Sequence, residues 1–270
     1  MKKTLLFIAG SILLTSHFGF AQSQNVQPSV QVNSASSGGG ASYDLAASNL
    51  YIGTEYPLTP TTQVRPMFPT ADLANLSSTT APHCTLAFSI VDAGLQTVDF
   101  QSIYVGYVDG GLTVPVSSST SYTPPASLQE YEISGTTYLP GLPDPNSSNN
   151  TVIADFSVTD TVFARENGNF TGSASIGAST AGKICNKFEL VNDDLISSIS
   201  AYRTTGVLAD MTSAEIYDDN SGTPNTMVAS SAVVSGFTTD PEWYTYPLTA
   251  GPVFLSAGTY HACIDEEQST

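Results

Sequence analysis

The sequence predicts an all-β protein built from two β-sandwich domains. Charged residues are only 11% of the chain, and its 21 Gly and 16 Pro suit short strands joined by many turns. Residues 84–91 and 151–158 alternate apolar and polar side chains, the pattern of a strand with one buried face. No long segment shows helical periodicity, and 270 residues are enough for two domains of ordinary size.

The first 21 residues are predicted to be a secretory signal peptide. Lys2 and Lys3 precede an apolar run at residues 5–14, and a small-residue cleavage pattern ends at Ala21. The run is shorter than the roughly 20 residues of a membrane-spanning helix, so we expect a secreted or cell-surface protein without membrane insertion. Residues 22–41 are rich in Ser, Gly, Gln and Asn, which predicts a flexible leader.

The charge balance excludes one class of partner. The chain has 24 acidic and 7 basic residues and a formal net charge of −17. Nucleic-acid binding needs Lys and Arg to neutralise phosphates, so we expect no nucleic-acid partner. The acidic excess is compatible with cation binding, or with solubility outside the cell.

The domain boundary is read from the loss of strand alternation. An Asp- and Asn-rich turn at residues 144–150 leads into the strand at residues 151–158. Alternation stops at Asp160 and resumes near Ile184. The predicted division is a first domain at 42–160, a linker at 161–182 and a second domain at 183–270, with further strands of the second domain allowed for beyond Thr270.

Several segments resemble known bacterial surface proteins. Residues 68–76, the following strand and the Asn149-Asn150 pair resemble CARDB-type immunoglobulin-like domains. Residues 156–168 and 255–260 resemble segments of secreted Bacteroidetes proteins, in which such a domain is joined to a jelly-roll-like domain. The resemblance implies an immunoglobulin-like sandwich followed by a jelly-roll-like sandwich. It also implies association with type IX secretion.

Two Asp-rich turns are candidate calcium sites. Ca²⁺ prefers several oxygen ligands from carboxylates, amides and carbonyls. The candidates are Asp144, Asn146 and Asn149 in the first domain and Asp218 and Asp219 in the second. Each group also has the composition of an ordinary β-turn, so both interpretations stay open.

An aromatic cluster is the candidate glycan-binding site. Trp243, Tyr244 and Tyr246 lie on one predicted strand, and flat aromatic rings on a sheet face can stack on sugars. Alternation puts Tyr244 and Tyr246 on one face and Trp243 on the other. We expect the two tyrosines to be the exposed, ligand-binding residues and Trp243 to be a core anchor. The alternative is that the whole cluster serves core packing.

The three cysteines predict one disulfide. Cys185 and Cys263 both lie opposite the apolar face of their strands, whereas Cys84 lies on the apolar face of its own. These two strands are the first and last major strands of the second domain, and in jelly-roll-like sandwiches such strands lie side by side. We therefore expect a Cys185–Cys263 disulfide and a buried free thiol at Cys84. The alternative is that all three are reduced and buried.

The sequence contains no recognisable catalytic motif. His83 and His261 lack a nucleophile-elbow setting and the paired ligand spacing of structural zinc sites. We therefore expect a non-catalytic adhesion or structural module, with an extracellular glycan or a surface protein as partner. The alternatives are a carbohydrate-binding module, or accessory domains of an exported hydrolase whose catalytic domain is absent.

Overall fold

The described part of the protein consists almost entirely of β-strands. The computed structural model describes residues 3–8, 43–165, 182–203, 211–235 and 242–267. The predicted leader and most of the predicted linker lie outside these ranges. The strands are β1 (Lys3–Ile8), β2 (Leu45–Tyr51), β3 (Leu58–Pro60), β4 (Thr70–Asn75), β5 (Ala81–Asp92), β6 (Thr97–Val108), β7 (Thr113–Ser117), β8 (Gln129–Tyr138), β9 (Thr151–Thr159), β10 (Val162–Ala164), β11 (Gly182–Leu190), β12 (Asp194–Arg203), β13 (Met211–Asn220), β14 (Thr223–Ser230), β15 (Glu242–Pro247), β16 (Val253–Leu255) and β17 (Gly258–Glu267).

The first core lies between two sheets. One is the small sheet β2-β4-β7, and the other is the β9-β8-β5-β6 end of a ten-stranded sheet. Leu86, Phe88 and Ile90 alternate along β5 and are buried in this core, as the sequence pattern predicts. Leu73 in β4 belongs to the same cluster, so the core joins both sheets of a sandwich.

The second core lies between another pair of sheets. The sheet β11-β17-β13-β14 supplies Phe188 and Ile216, and β12 and β15 of the large sheet supply Ile199 and Tyr246. The all-β prediction with two sandwich cores is therefore confirmed. No helix within the described ranges is long and apolar enough to cross a bilayer.

The large sheet is continuous through both sandwiches. Its order is β15-β12-β1-β10-β3-β9-β8-β5-β6, and β16 also pairs with β12. Residues 3–8, inside the predicted signal peptide, form β1 and pair in parallel with both β10 and β12. The leading segment thus occupies a central strand position of the second domain.

Side chains from the predicted first domain and linker also build the second core. Tyr56 stacks on Phe163 at a ring-centroid distance of 4.2 Å, and both belong to the second cluster. Phe163 lies within the predicted linker, in a strand of only three residues, which is too short to show alternation. Gln63 is fully buried and donates from Nε2 to the carbonyl of Asn192 at 3.0 Å. The two sandwiches are therefore joined by specific contacts.

Candidate binding groove on the outer face of the large sheet

An exposed groove lies on the face of the large sheet that is turned away from the first core. Thr85 in β5 pairs with Tyr104 in β6 on one side and with Tyr138 in β8 on the other. Residues paired across strands share a face, so both rings stand on the same face as Thr85, two strand spacings or about 10 Å apart. Tyr104 is 62% exposed and Tyr138 is 46% exposed.

The floor of this groove is made of small, neutral side chains. The next row pairs Ala87 with Ser102 and Thr136. Beside this row lies a concavity of about 380 Å³, lined by Thr85, Ser102, Tyr138, Leu139 and Pro140. None of these lining residues is charged. A ligand held here would meet the hydroxyl groups of Thr85 and Ser102 and the ring of Tyr138, with Tyr104 on the far side of Thr85.

A backbone irregularity holds one wall of the groove. The β5–β6 register shifts on both sides of Cys84, and His83 and Gly106 adopt positive φ angles of 53° and 94°. As a result His83 Nδ1 lies 3.0 Å from the hydroxyl of Tyr104, and the His83 ring is 5.8 Å from that of Tyr107. β-Bulges re-aim side chains in this way, and here the bulged region orients Tyr104.

The predicted aromatic cluster is placed differently from the expectation. Tyr244 and Tyr246 do share a face, but it is the core face: Tyr246 is fully buried and its hydroxyl is 2.9 Å from Thr212 Oγ1. Trp243 is the exposed member, 37% accessible, and packs edge-on against Tyr202. The assignment of the tyrosines to the surface and of Trp243 to the core is therefore wrong. Alternation identifies shared faces, but both faces of this strand carry aromatic residues.

The first candidate calcium turn is organised by its own side chains. Asp144 accepts hydrogen bonds from the backbone N–H of Leu45 at 3.0 Å and of Asn146 at 3.0 Å. Asn149 donates to Asp44 at 2.9 Å, while the Oδ1 atoms of Asn149 and Asn150 are buried without a hydrogen-bond partner. These amide oxygens fit the oxygen ligands that Ca²⁺ takes. Calcium binding by Asp144, Asn146 and Asn149 stays a prediction.

The second candidate calcium turn is occupied by protein contacts. Asp218 accepts a hydrogen bond from the backbone N–H of Thr226, and Asp219 accepts one from Gly222 at 3.1 Å. Asp219 Oδ1 is also 2.7 Å from His261 Nε2. The hydrogen bond from the Gly222 N–H holds the pKa of Asp219 below its usual value. The hydrogen bond with His261 has the same but smaller effect. Both carboxylates therefore support the β13–β14 hairpin.

The described ranges hold no denser ligand set. Within them, no group of three or more His, Cys, Asp or Glu side chains gathers as a metal-binding cluster.

The predicted disulfide is present. Cys185 and Cys263 are direct cross-strand partners in β11 and β17, with Cα atoms 4.0 Å apart, and Cys84 is a buried free thiol. Cys263 is fully buried, although it lies opposite the apolar face predicted for its strand. β17 is a central strand of its sheet, flanked by β11 and β13. Burial raises the pKa of the Cys84 thiol.

Beside the disulfide lies a structural ion-pair cluster. Lys183 pairs with Glu215 and, at 3.1 Å, with Asp265, while Tyr217 donates to Glu215 at 2.7 Å. Burial alone would lower the pKa of Lys183, but its hydrogen bonds to Glu215, Tyr217 and Asp265 raise it above 10.5. Lys183 is therefore a protonated partner of the buried Glu215 carboxylate and not a neutral nucleophile.

The geometry defines a class of protein: a β-sandwich protein with two cores and an exposed aromatic groove. No family model matches the chain, and no curated protein matches it.

Solved structures show distant likenesses. The CARDB domain of the PF1109 protein from Pyrococcus furiosus, in complex with di-metal ions, is 14% identical with a TM-score of 0.34 and covers 48% of this chain and 100% of that chain. The solution NMR structure of the same CARDB domain is 15% identical with a TM-score of 0.35 and covers 45% of this chain and 99% of that chain. The Salmonella enterica SafA pilin in complex with the SafB chaperone is 11% identical with a TM-score of 0.20 and covers 77% of this chain and 96% of that chain.

Sequence reasoning missed the groove residues. The signal was present in β6, where Phe100, Ser102 and Tyr104 alternate with Ile103 and Val105. That pattern predicts an aromatic outer face for β6. It does not predict Tyr138 opposite Tyr104, because β8 reaches that position only through the strand order.

Proposed function

We propose that this chain is a secreted or cell-surface, non-catalytic adhesion module that binds a neutral glycan through the outer-face groove. The observation that carries the proposal is the pair of exposed rings, Tyr104 and Tyr138, on either side of a floor of hydroxyl groups. Aromatic rings offer apolar faces to the C–H faces of sugars, and tyrosine and serine hydroxyls can bond to sugar hydroxyls.

Charge and size support a neutral polysaccharide chain as the ligand. A protein with a net charge of −17 repels acidic polysaccharides at low salt, whereas a neutral sugar avoids this cost. Two rings about 10 Å apart leave roughly 6 Å of free width after their own thickness, which admits one extended chain. The groove thus favours a linear ligand lying along the strands.

Secretion rests on two independent features. The predicted signal peptide supports export, and the Cys185–Cys263 disulfide is compatible with an oxidising compartment. Association with type IX secretion and with Bacteroidetes is proposed from the sequence resemblance alone. The alternative is that these sandwiches serve as accessory domains of an exported hydrolase, in which case the groove would hold that enzyme's polysaccharide substrate.

Glycan-array binding followed by titration tests the proposal. Tyr104→Ala and Tyr138→Ala should each weaken binding about 3- to 10-fold, because one aromatic contact contributes roughly 0.5–1.5 kcal/mol. Phe254→Ala is the matched control, since Phe254 is 61% exposed on a different domain. All three variants should keep the wild-type melting temperature. Glycan binding that survives both tyrosine substitutions would place the ligand elsewhere, and absence of binding to every neutral glycan would refute the function.

A further inference from the structure

The outer face of the first sandwich carries a further exposed ring beyond the groove. Phe100 lies four residues before Tyr104 in β6 and is 57% exposed. β5 and β6 pair in unbroken register from Thr85↔Tyr104 to Ser89↔Phe100, so Phe100 and Tyr104 stand on the same face. Four residues of a strand place the two rings about 13 Å apart along β6.

We propose that Phe100 forms a second subsite of the groove, and that the ligand is an extended, β-linked neutral polysaccharide chain lying along β6. The inference rests on the proposed glycan-binding function and adds to it the length and the linkage of the chain. A sugar ring is about as large as an aromatic ring, so a single sugar cannot reach both Tyr104 and Phe100. A ligand that touches both rings is therefore an oligomer of several consecutive sugars.

The surface between the two rings offers hydroxyl groups. Ser102 lies midway between Phe100 and Tyr104 on β6, on the same face, and is exposed. On the neighbouring strands, Ser89 and Ser134 are cross-strand partners in the row of Phe100. Hydroxyl groups both donate and accept hydrogen bonds, as sugar hydroxyls do. A chain that runs from Tyr104 to Phe100 thus meets a ring, a hydroxyl group and a second ring in succession.

The neutral part of this face ends one row beyond Phe100. There Glu132 and Asp155 are direct cross-strand partners, and both are exposed. Like charges placed directly opposite each other are unfavourable, and an acidic group on a ligand would add to that repulsion. A polysaccharide with carboxylates or sulfates along its length is therefore disfavoured at this end of the subsite, whereas a neutral chain can continue past it.

The straight line of contacts selects the linkage of the chain. Phe100 and Tyr104 stand on one side of one strand, so a ligand that touches both must stay close to the sheet over about 13 Å. An equatorially β-linked chain is an extended ribbon, and the C–H groups on the faces of its rings stack on aromatic side chains. An α-linked glucose chain coils, so it would leave the sheet after contacting one ring. The spacing thus favours the extended β-linked chain.

Titration followed by NMR chemical shifts tests both parts of the inference on the full chain. The wild type should bind cellohexaose roughly tenfold more tightly than cellobiose or maltohexaose, because only an extended, long chain contacts both rings. Oligosaccharides of mannose and of N-acetylglucosamine are compared in the same way, since their chains are also extended and equatorially linked.

Phe100→Ala is the informative variant. It should weaken binding of the extended hexasaccharide about 3- to 10-fold and leave binding of the disaccharide unchanged. Tyr104→Ala should weaken binding of both lengths. Phe254→Ala is the matched control, because Phe254 is 61% exposed on the other sandwich, and it should change neither. Unchanged disaccharide binding by Phe100→Ala also shows that the variant keeps its fold.

The contrary outcomes separate the inference from the proposed function. Absence of binding to every neutral oligosaccharide, extended or coiled, would refute the glycan-binding function, and the inference with it. Binding of the extended hexasaccharide that Phe100→Ala keeps, or that it weakens no more than binding of the disaccharide, would overturn the second subsite alone. Maltohexaose bound as tightly as the extended chains, or a neutral glycan bound while all extended chains fail, would overturn the linkage.

Discussion

Gln63 is the side chain whose loss should reveal how strongly the two sandwiches depend on each other. It is fully buried, and Nε2 donates to the carbonyl of Asn192 at 3.0 Å and to Asp194 Oδ2 at 2.8 Å. Its Oε1 accepts hydrogen bonds from the backbone N–H of Val191 at 2.9 Å and of Asn192 at 3.3 Å. Gln63→Ala removes these four contacts and adds none.

The magnitude follows from the groups left behind. Each buried polar group that loses its partner costs about 1–3 kcal/mol. The Val191 N–H and the Asn192 N–H and carbonyl lose Gln63 as a partner, but Asn192 is exposed, so water can replace part of that loss. Asp194 keeps the Thr62 hydroxyl at 2.7 Å and the Leu195 N–H at 2.9 Å. We therefore expect Gln63→Ala to lower the free energy of unfolding by about 2–3 kcal/mol.

Urea denaturation, followed by far-UV circular dichroism, measures this loss, and Gln101→Ala is the matched control. Gln101 also makes an amide clamp: it donates to Asp99 and the Thr120 carbonyl at 3.0 Å and accepts from the Ser119 and Thr120 N–H groups at 3.0 Å. These groups are open to water, so the control should lose less than about 1 kcal/mol.

A loss for Gln63→Ala no larger than that of the control would refute the reasoning, because water or local rearrangement would then be replacing the four contacts. A second unfolding transition in Gln63→Ala, absent from the wild type, is the expected sign that the sandwiches now unfold separately.

Two further predictions concern the second domain. Replacing Cys185 and Cys263 with Ala removes a bridge that closes a loop of 78 residues, and should lower the free energy of unfolding by about 4–5 kcal/mol. Peptide mapping under non-reducing conditions checks which cysteines are paired. Finding Cys84 in the bridge would contradict the prediction. Lys183→Met should cost about 1–2 kcal/mol, because it removes the ion partner of the buried Glu215 and Lys183 itself is partly exposed. Folding raises the pKa of Lys183. Its contribution to the free energy of unfolding is therefore full below the unfolded-state pKa of 10.5, and is lost as the pH rises through the folded-state pKa. Melting temperatures of wild type and variant should therefore differ equally at pH 8 and pH 10, and a gap that closes below pH 9 would disprove the ion pair.

Much of the fold follows from local pattern. Alternation is a property of neighbouring residues, so the half-buried strands around Phe88 and Phe156 are predicted from the sequence alone. The cysteine pairing follows for a related reason. Once Cys185 and Cys263 are assigned to the same kind of face, the adjacency of first and last strands is the one additional assumption, and the register Cys185↔Cys263 agrees with it.

The tertiary structure decided which face is inside and which distant residues meet. Tyr246 and Trp243 are close in sequence and similar in character, and only packing against Ile199 and its neighbours buries the tyrosine. The groove depends on β5 lying between β6 and β8, and the Gln63 contact joins residues 129 positions apart. Such contacts depend on strand order and chain closure, which are long-range properties. The sequence by itself therefore determined the all-β class, the longer alternating strands and the disulfide partners. The strands formed by residues 3–8 and 162–164, the binding surface and the junction of the two sandwiches exist only once the sheets have assembled.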